Sequence, residues 1–347
     1  MIIYYSVILI SIIFAVYAEK KNSKFAMVCS ILLLSLLSGL RGENVATDTQ
    51  NYIRIFNGWA NGGESNMDIG FVLVSKTLLA IFGKAYQPLF LIYATITNAL
   101  IVSRLWSMRK YCSFGVMYFM YVAVFYPQSM NIIRQYLALA IVFYATKFIE
   151  ERKYAKYCIW NLVAVLFHLS SATGFVILIL WLLIIDRHET KRKLWVVVLL
   201  ICSIPIIFAA VILIYTRYSG YVDSTSAEFS LLIVGRIVGL LFFLFLRLLR
   251  GSPVAHCEEP ANYTRYITCL YSLGILISTA GFVFEFVGRL SFYFLIFEIP
   301  FTAVAAFKEK NFLLKICYMT LALYFLVIKI GVLGENGIMP YTMFMFN

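Results

Sequence analysis

The stretch YAKYCIWNLVAVLFHLSSATGFVILILWLLII, residues 154–185, is apolar almost throughout and has basic segments at both ends. As one helix it would be about 45 Å long, against a hydrocarbon core of about 30 Å. Both flanks carry the lysines and arginines that mark a cytoplasmic side. The chain must therefore cross outward and come back, with the reversal near His168-Leu169-Ser170-Ser171. That puts His168 at the outer membrane face.

The rest of the chain has the same character. Of its 347 residues 62% are hydrophobic and 13% charged, with 30 Phe and 24 Tyr. Soluble domains run nearer ~45–50% apolar and ~25% charged. A globule of this size could not hide so much apolar surface, and a disordered chain needs low hydrophobicity. The apolar runs also lack the period-2 alternation of a membrane β-barrel. The fold class that remains is all-α, a polytopic transmembrane helical protein. Spans are expected at about 2–18, 25–40, 86–103, 112–127, 129–147, 157–170, 172–185, 194–215, 231–246, 265–283, 290–307 and 311–328, about 12 in all. Residues 1–18 have no basic leader and no clear cleavage site, so they read as a first span rather than a signal peptide.

Charge orients the spans. The net charge is +12, and 20 of the 29 basic residues fall in the segments after the odd-numbered spans, from Lys20, Lys21 and Lys24 to Lys308, Lys310 and Lys315. That side is cytoplasmic by the positive-inside rule, so both termini face outward. The alternation leaves no room for a span at residues 69–83, although they are apolar. They read as an interfacial or re-entrant helix inside an outer loop, 41–86. Further outer segments are 216–230 and a tail at 329–347, all within a single membrane domain covering 1–347. The seven cysteines show no CxxC spacing, so neither a disulfide framework nor a zinc site is indicated.

Ionisable groups are sparse on the outer side, and several lie against apolar runs: Arg134, Arg236, Glu285, Arg289 and Glu298. A charge at such depth costs several kcal/mol unless it is paired or faces water, at roughly 2.5–3.5 kcal/mol on insertion scales. One reading is a polar cavity opening outward. The other is a set of structural ion pairs, such as Glu285 with Arg289 one helical turn apart. An arginine-lined cavity suits a polyanion, because guanidinium forks match phosphate oxygens. No Gly-rich phosphate loop, GxSxG or HExxH occurs, and no DxD spacing appears on the outer side. His168 is the lone outer histidine, either a structural hydrogen-bonding residue or a general base. Asp48, Asn51, Tyr52, Asn57, Trp59 and Asn61 in the first outer loop offer the aromatic faces and planar polar groups that saccharides bind. Trp59 equally suits a membrane-interface belt.

These pieces together resemble the EpsG-type and Wzy-type bacterial polysaccharide (O-antigen or capsule) polymerases. The resemblance rests on Arg41-Gly42 with Asp48-Thr49 and Tyr52, on Asp68-Ile69-Gly70-Phe71, and on Arg134-Gln135 followed by Ala138. Phe167-His168-Leu169-Ser170, Arg289 with Tyr293, and Pro340-Tyr341 complete it. Members often carry Glu where this chain has Asp68. The resemblance implies a GT-C-like glycosyltransferase architecture in the bacterial inner membrane, joining repeat units linked to undecaprenyl pyrophosphate on the periplasmic face. It implies inverting, metal-independent transfer with no cofactor. Implied partners are undecaprenyl-pyrophosphate-linked glycans, membrane lipids and a chain-length regulator protein, with no nucleic acid. Arg134 and Arg289 would bind pyrophosphate, with Arg41 and Arg217 as lesser candidates and Asp68 and Tyr293 as further substrate contacts. His168 and Asp48 compete as the base, while Tyr52 and Gln135 orient sugar or phosphate. The rivals are a lipid-linked saccharide flippase, which would want inverted halves, and a membrane O-acyltransferase using His168.

Overall fold

A computed structural model describes residues 1–63, 66–185, 231–250, 258–280, 285–308 and 311–344. Among them every regular element is helical; the one β-bridge joins Arg41 to Met343. The helices are α1 (Ile2–Lys21), α2 (Lys24–Gly39), α3 (Thr49–Ala60), α4 (Ile69–Phe82), α5 (Gln87–Met108), α6 (Phe114–Met120), α7 (Tyr126–Asn131), α8 (Ile133–Glu150), α9 (Tyr154–Phe167) and α10 (Gly174–Ile184). After these come α11 (Leu231–Arg250), α12 (Glu258–Ala280), α13 (Glu285–Leu290), α14 (Phe292–Leu295), α15 (Glu298–Thr302) and α16 (Phe312–Leu323).

Three helical runs among the described residues are long and apolar enough to cross a membrane: Ile2–Lys21, Gln87–Met108 and Phe312–Val332. A fourth candidate is the pair Gly288–Leu295 and Glu298–Phe307, bent by 47°. Several further apolar helices are shorter, including Lys24–Gly39, Ile69–Phe82 and Tyr154–Phe167. Their brevity has visible causes. The helix at 154–167 stops at His168, and a 3₁₀ turn over Leu169–Thr173 precedes α10, which is where the length of the apolar stretch demands a break. Pro127 lacks an N–H, and the preceding turn, Tyr121–Phe125, widens to a π-helix in which Tyr126 N–H bonds the Tyr121 carbonyl. The expected span at 194–215 lies outside the described residues.

Contacts divide the chain into two compact units. The first comprises Met1–Tyr144, Leu166–His168 and Met319–Asn347; the second comprises Ala145–Val165 and Leu169–Tyr318. In the first unit α1, α2 and α5 pack side by side, and tyrosine hydroxyls tie the elements to main-chain carbonyls. Tyr126 donates to Leu34 O (2.7 Å), Tyr341 to Leu37 O (2.5 Å) and Tyr5 to Leu326 O (2.9 Å). The last residues strap the first loop: Gly42 N–H donates to Thr342 O and Phe344 N–H to Leu40 O, each at 2.9 Å. Ala46 and Thr47 N–H donate to the carbonyls of Gly337 and Asn336.

In the second unit Arg236 on α11 meets Glu298 on α15. Nε and Nη2 both donate to Oε2, at 2.9 and 2.7 Å, and Tyr271 on α12 donates to Oε1. Both charged residues are buried, so they satisfy each other where water cannot. This pairing joins residues 62 apart in sequence, whereas the sequence offered Glu285 with Arg289. The side chain of Glu285 lies outside what the structure describes.

Candidate functional site

The first unit brings together three polar residues named from the sequence. Asp68 precedes α4 with an extended backbone (φ −60°, ψ 139°), and its carboxylate makes no capping bond to that helix. Arg134 stands in the first turn of α8, just after the non-helical Ile132 (φ −92°, ψ 62°). Its Nη1 donates to Asp68 Oδ2 in an ion pair. His168, at the break after α9, places Nδ1 3.5 Å from the same oxygen. The side chains of Arg134, Asp68 and His168 are 16%, 14% and 23% exposed, so the cluster is recessed but not sealed.

Two features of the local sequence create this meeting. Gly70 lies against the last turn of α9, where a Cβ would stand 2.9 Å from the Leu166 carbonyl oxygen and 3.1 Å from the Phe167 ring. Only a glycine lets the two backbones approach so closely, and the approach carries Asp68 to His168. Phe71 is fully buried, and the Arg134 guanidinium lies 5.4 Å from its ring centre. Phe71 also packs on Tyr52, Trp59 and Tyr93, each with ring centres 5.7 Å apart. The Asp-Ile-Gly-Phe piece thus supplies a carboxylate, a close approach and an aromatic floor in four consecutive residues.

The floor comes from an amphipathic helix. Tyr52, Phe56 and Trp59 recur at helical spacing on α3 and are buried, while Asn51 and Arg54 face out. Trp59, read from the sequence as a sugar platform or a membrane belt, is neither: it is core, 8% exposed. Tyr52 is buried under Arg134; burial pushes its phenol above the usual range, and the guanidinium pulls the other way. Arg134 lies 6.0 Å from its ring centre.

The other named residues are placed differently. Arg41 is 1% exposed, with its guanidinium enclosed by the first unit. Nε donates to Thr49 Oγ1 (3.0 Å), Nη1 to the Ser38 carbonyl (2.7 Å), and the group lies 4.1 Å over the Phe90 ring. Burial pulls its pKa down to about 10. It holds the first loop from within. Asp48 precedes α3 and bonds through its backbone, its N–H donating to Asn131 Oδ1 at 2.8 Å. Gln135 is buried beside Arg134 in sequence, facing inward. In the second unit Tyr293 is 1% exposed and shares a 3.1 Å hydrogen bond with Ser170 Oγ. Arg289 is exposed on α13. Arg217 lies outside the described residues. No cluster of His, Cys, Asp and Glu among the described residues could hold a metal ion.

Sequence reasoning did not single out Asn131 and Gln128, the side chains that hold the break before Arg134. Their only sequence signal was Pro127 immediately upstream, which marks irregular helix.

With this geometry in hand, comparison with known proteins decides the family. The EpsG family profile matches residues 24–343, nearly the whole chain. The chain belongs to the EpsG family. Searches of curated proteins and of solved structures returned no match. EpsG membership points to a polysaccharide polymerase-like role, a glycosyltransferase type of activity, in a membrane protein, as the apolar helices also indicate.

Proposed function

We propose that this EpsG protein polymerises lipid-linked oligosaccharide repeat units at the outer face of the bacterial inner membrane, with the cluster Asp68–Arg134–His168 as its reacting centre. The observation that carries the reading is one carboxylate shared by a guanidinium and an imidazole, all three partly exposed. The donor is a growing glycan on undecaprenyl pyrophosphate; the acceptor is the terminal sugar of another lipid-linked unit. A hydroxyl of the acceptor attacks the anomeric carbon, the bond from that carbon to pyrophosphate breaks, and configuration inverts. The proton goes to His168 Nε2, and the lipid pyrophosphate departs with the electron pair.

Each residue then has a distinct task. Asp68 faces Nδ1 of His168, which favours the tautomer with a proton on Nδ1 and a basic Nε2. This makes Asp68, and not Asp48, the carboxylate that works with the histidine. Arg134 offers five N–H donors in a rigid fork, so binding Asp68 does not exhaust it, and its charge stabilises the departing pyrophosphate. Arg289 and Arg217 remain proposed phosphate ligands on charge and chain position alone.

The test is glycan chain length on gels, with expression matched to wild type, for Arg134→Ala and His168→Ala. Loss of long polymer in both supports the assignment, and normal polymer from both removes it. Purified protein supplied with lipid-linked repeats separates polymerase from flippase, since only a polymerase lengthens the glycan. Labelling a cysteine at position 168 with an impermeant reagent fixes the face and tests the acyltransferase alternative.

A further inference from the structure

Arg134 owes its place to a helix that stops and restarts, α7 ending at Asn131 and α8 beginning at Ile133. Two side chains hold this break. Asn131 Oδ1 accepts two hydrogen bonds from the first loop, from Thr47 Oγ1 at 2.9 Å and from Asp48 N–H at 2.8 Å. Across the break, the Tyr136 hydroxyl donates to Gln128 Oε1 at 2.8 Å. The loop that Asn131 grips is itself fixed from the far end of the chain. Thr47 N–H donates to the Asn336 carbonyl at 3.1 Å. Gly337 (φ +64°) lies so close that a Cβ would stand 2.9 Å from Thr47 Cγ2. Asn131 therefore joins a hydrogen-bonded loop to the residue pair that leads into Arg134.

We propose that Asn131 is a positioning residue, pinning the break at Ile132 to the Thr47–Asp48 loop and thereby setting Arg134 against Asp68. The activity consequence rests on the function proposed above; the geometric one does not. Asn131→Ala deletes the shared acceptor, whereas Asn131→Asp retains an oxygen for both donors. In purified full-length protein, Arg134 modification by phenylglyoxal, quantified by mass spectrometry, reads the guanidinium directly and needs no substrate. Asn131→Ala is expected to change its rate about tenfold, the scale set by two lost neutral hydrogen bonds, and Asn131→Asp to return it to the wild-type rate. Equal rates in all three folded proteins overturn the proposal. If Asn131→Ala does not fold, Thr47→Val removes one donor and is expected to move the rate less, in the same direction; no movement overturns it.

Polymer formation supplies the second arm. In an Arg134→Lys background Asn131→Ala is expected to cost little more, whereas fully multiplied losses would show that Asn131 acts elsewhere. A wild-type protein that forms no polymer from lipid-linked repeats would sink the proposed function, and the labelling result would still decide the role of Asn131.

Discussion

Gly70→Ala tests the contact that assembles the site. The added methyl would meet the Leu166 carbonyl oxygen at 2.9 Å, where ordinary contact begins at 3.4 Å. Both neighbours on the far side are helix backbone or an aromatic ring, so the strain cannot be shed by turning a flexible side chain. The helices must part by about 0.5 Å to restore normal contact. The contact between Asp68 and His168 is already 3.5 Å. An added half ångström takes it to about 4 Å, beyond hydrogen bonding. Overpacking of this kind costs about 1–3 kcal/mol, which thermal unfolding in detergent would register as a lowered midpoint. Chain-length analysis of the glycan should show shortened polymer even at matched expression. An unchanged midpoint together with full-length polymer would show that α4 and α9 do not press together as described, and the account of how Asp68 reaches His168 would fall.

Other substitutions separate charge, packing and capping. Asp68→Asn keeps shape but loses the carboxylate shared by Arg134 and His168, and should slow polymerisation by about 10²-fold or more, read as elongation rate in vitro; Asp68→Glu should retain long polymer. Glu298→Gln leaves Arg236 buried without its counter-charge and should lower stability by about 3–5 kcal/mol, while Arg236→Met with Glu298→Leu should be near neutral, both followed by unfolding in detergent. Glu19 accepts from Phe114 N–H, Gly115 N–H and Ser113 Oγ at the start of α6. Glu19→Ala should therefore cost about 0.5–2 kcal/mol of stability and leave glycan length unaltered in folded protein.

The break at His168 was legible because it follows from length: a largely apolar stretch of 32 residues with basic flanks cannot be one straight helix across a bilayer. The helical character of the chain was legible for the same reason, from composition and from the lack of alternation. His168, Asp68 and Arg134 could be named one by one as scarce polar groups, but their partnership could not. Arg134 and Asp68 lie 66 residues apart and meet only in the folded chain, and it is the packing of Gly70 against Leu166 that brings Asp68 to His168. Asp68 consequently read as a substrate contact and Asp48 as the rival base. Arg41 shows the opposite difficulty. An arginine at a helix end reads as a solvent-facing ligand, yet this one is enclosed, with Thr49, the Ser38 carbonyl and the Phe90 ring as its partners. Hydropathy cannot distinguish these cases, because it records what a residue is made of and not what surrounds it.

The strap formed by the final residues has a consequence for how the protein is made. The first unit draws on segments far apart in the sequence, Met1–Tyr144 and Met319–Asn347. It cannot close while the ribosome is still translating the segment between them. Until the segment from Asn336 to Phe344 has been made and docks, the loop that carries Asp48 lacks the main-chain partners that hold it.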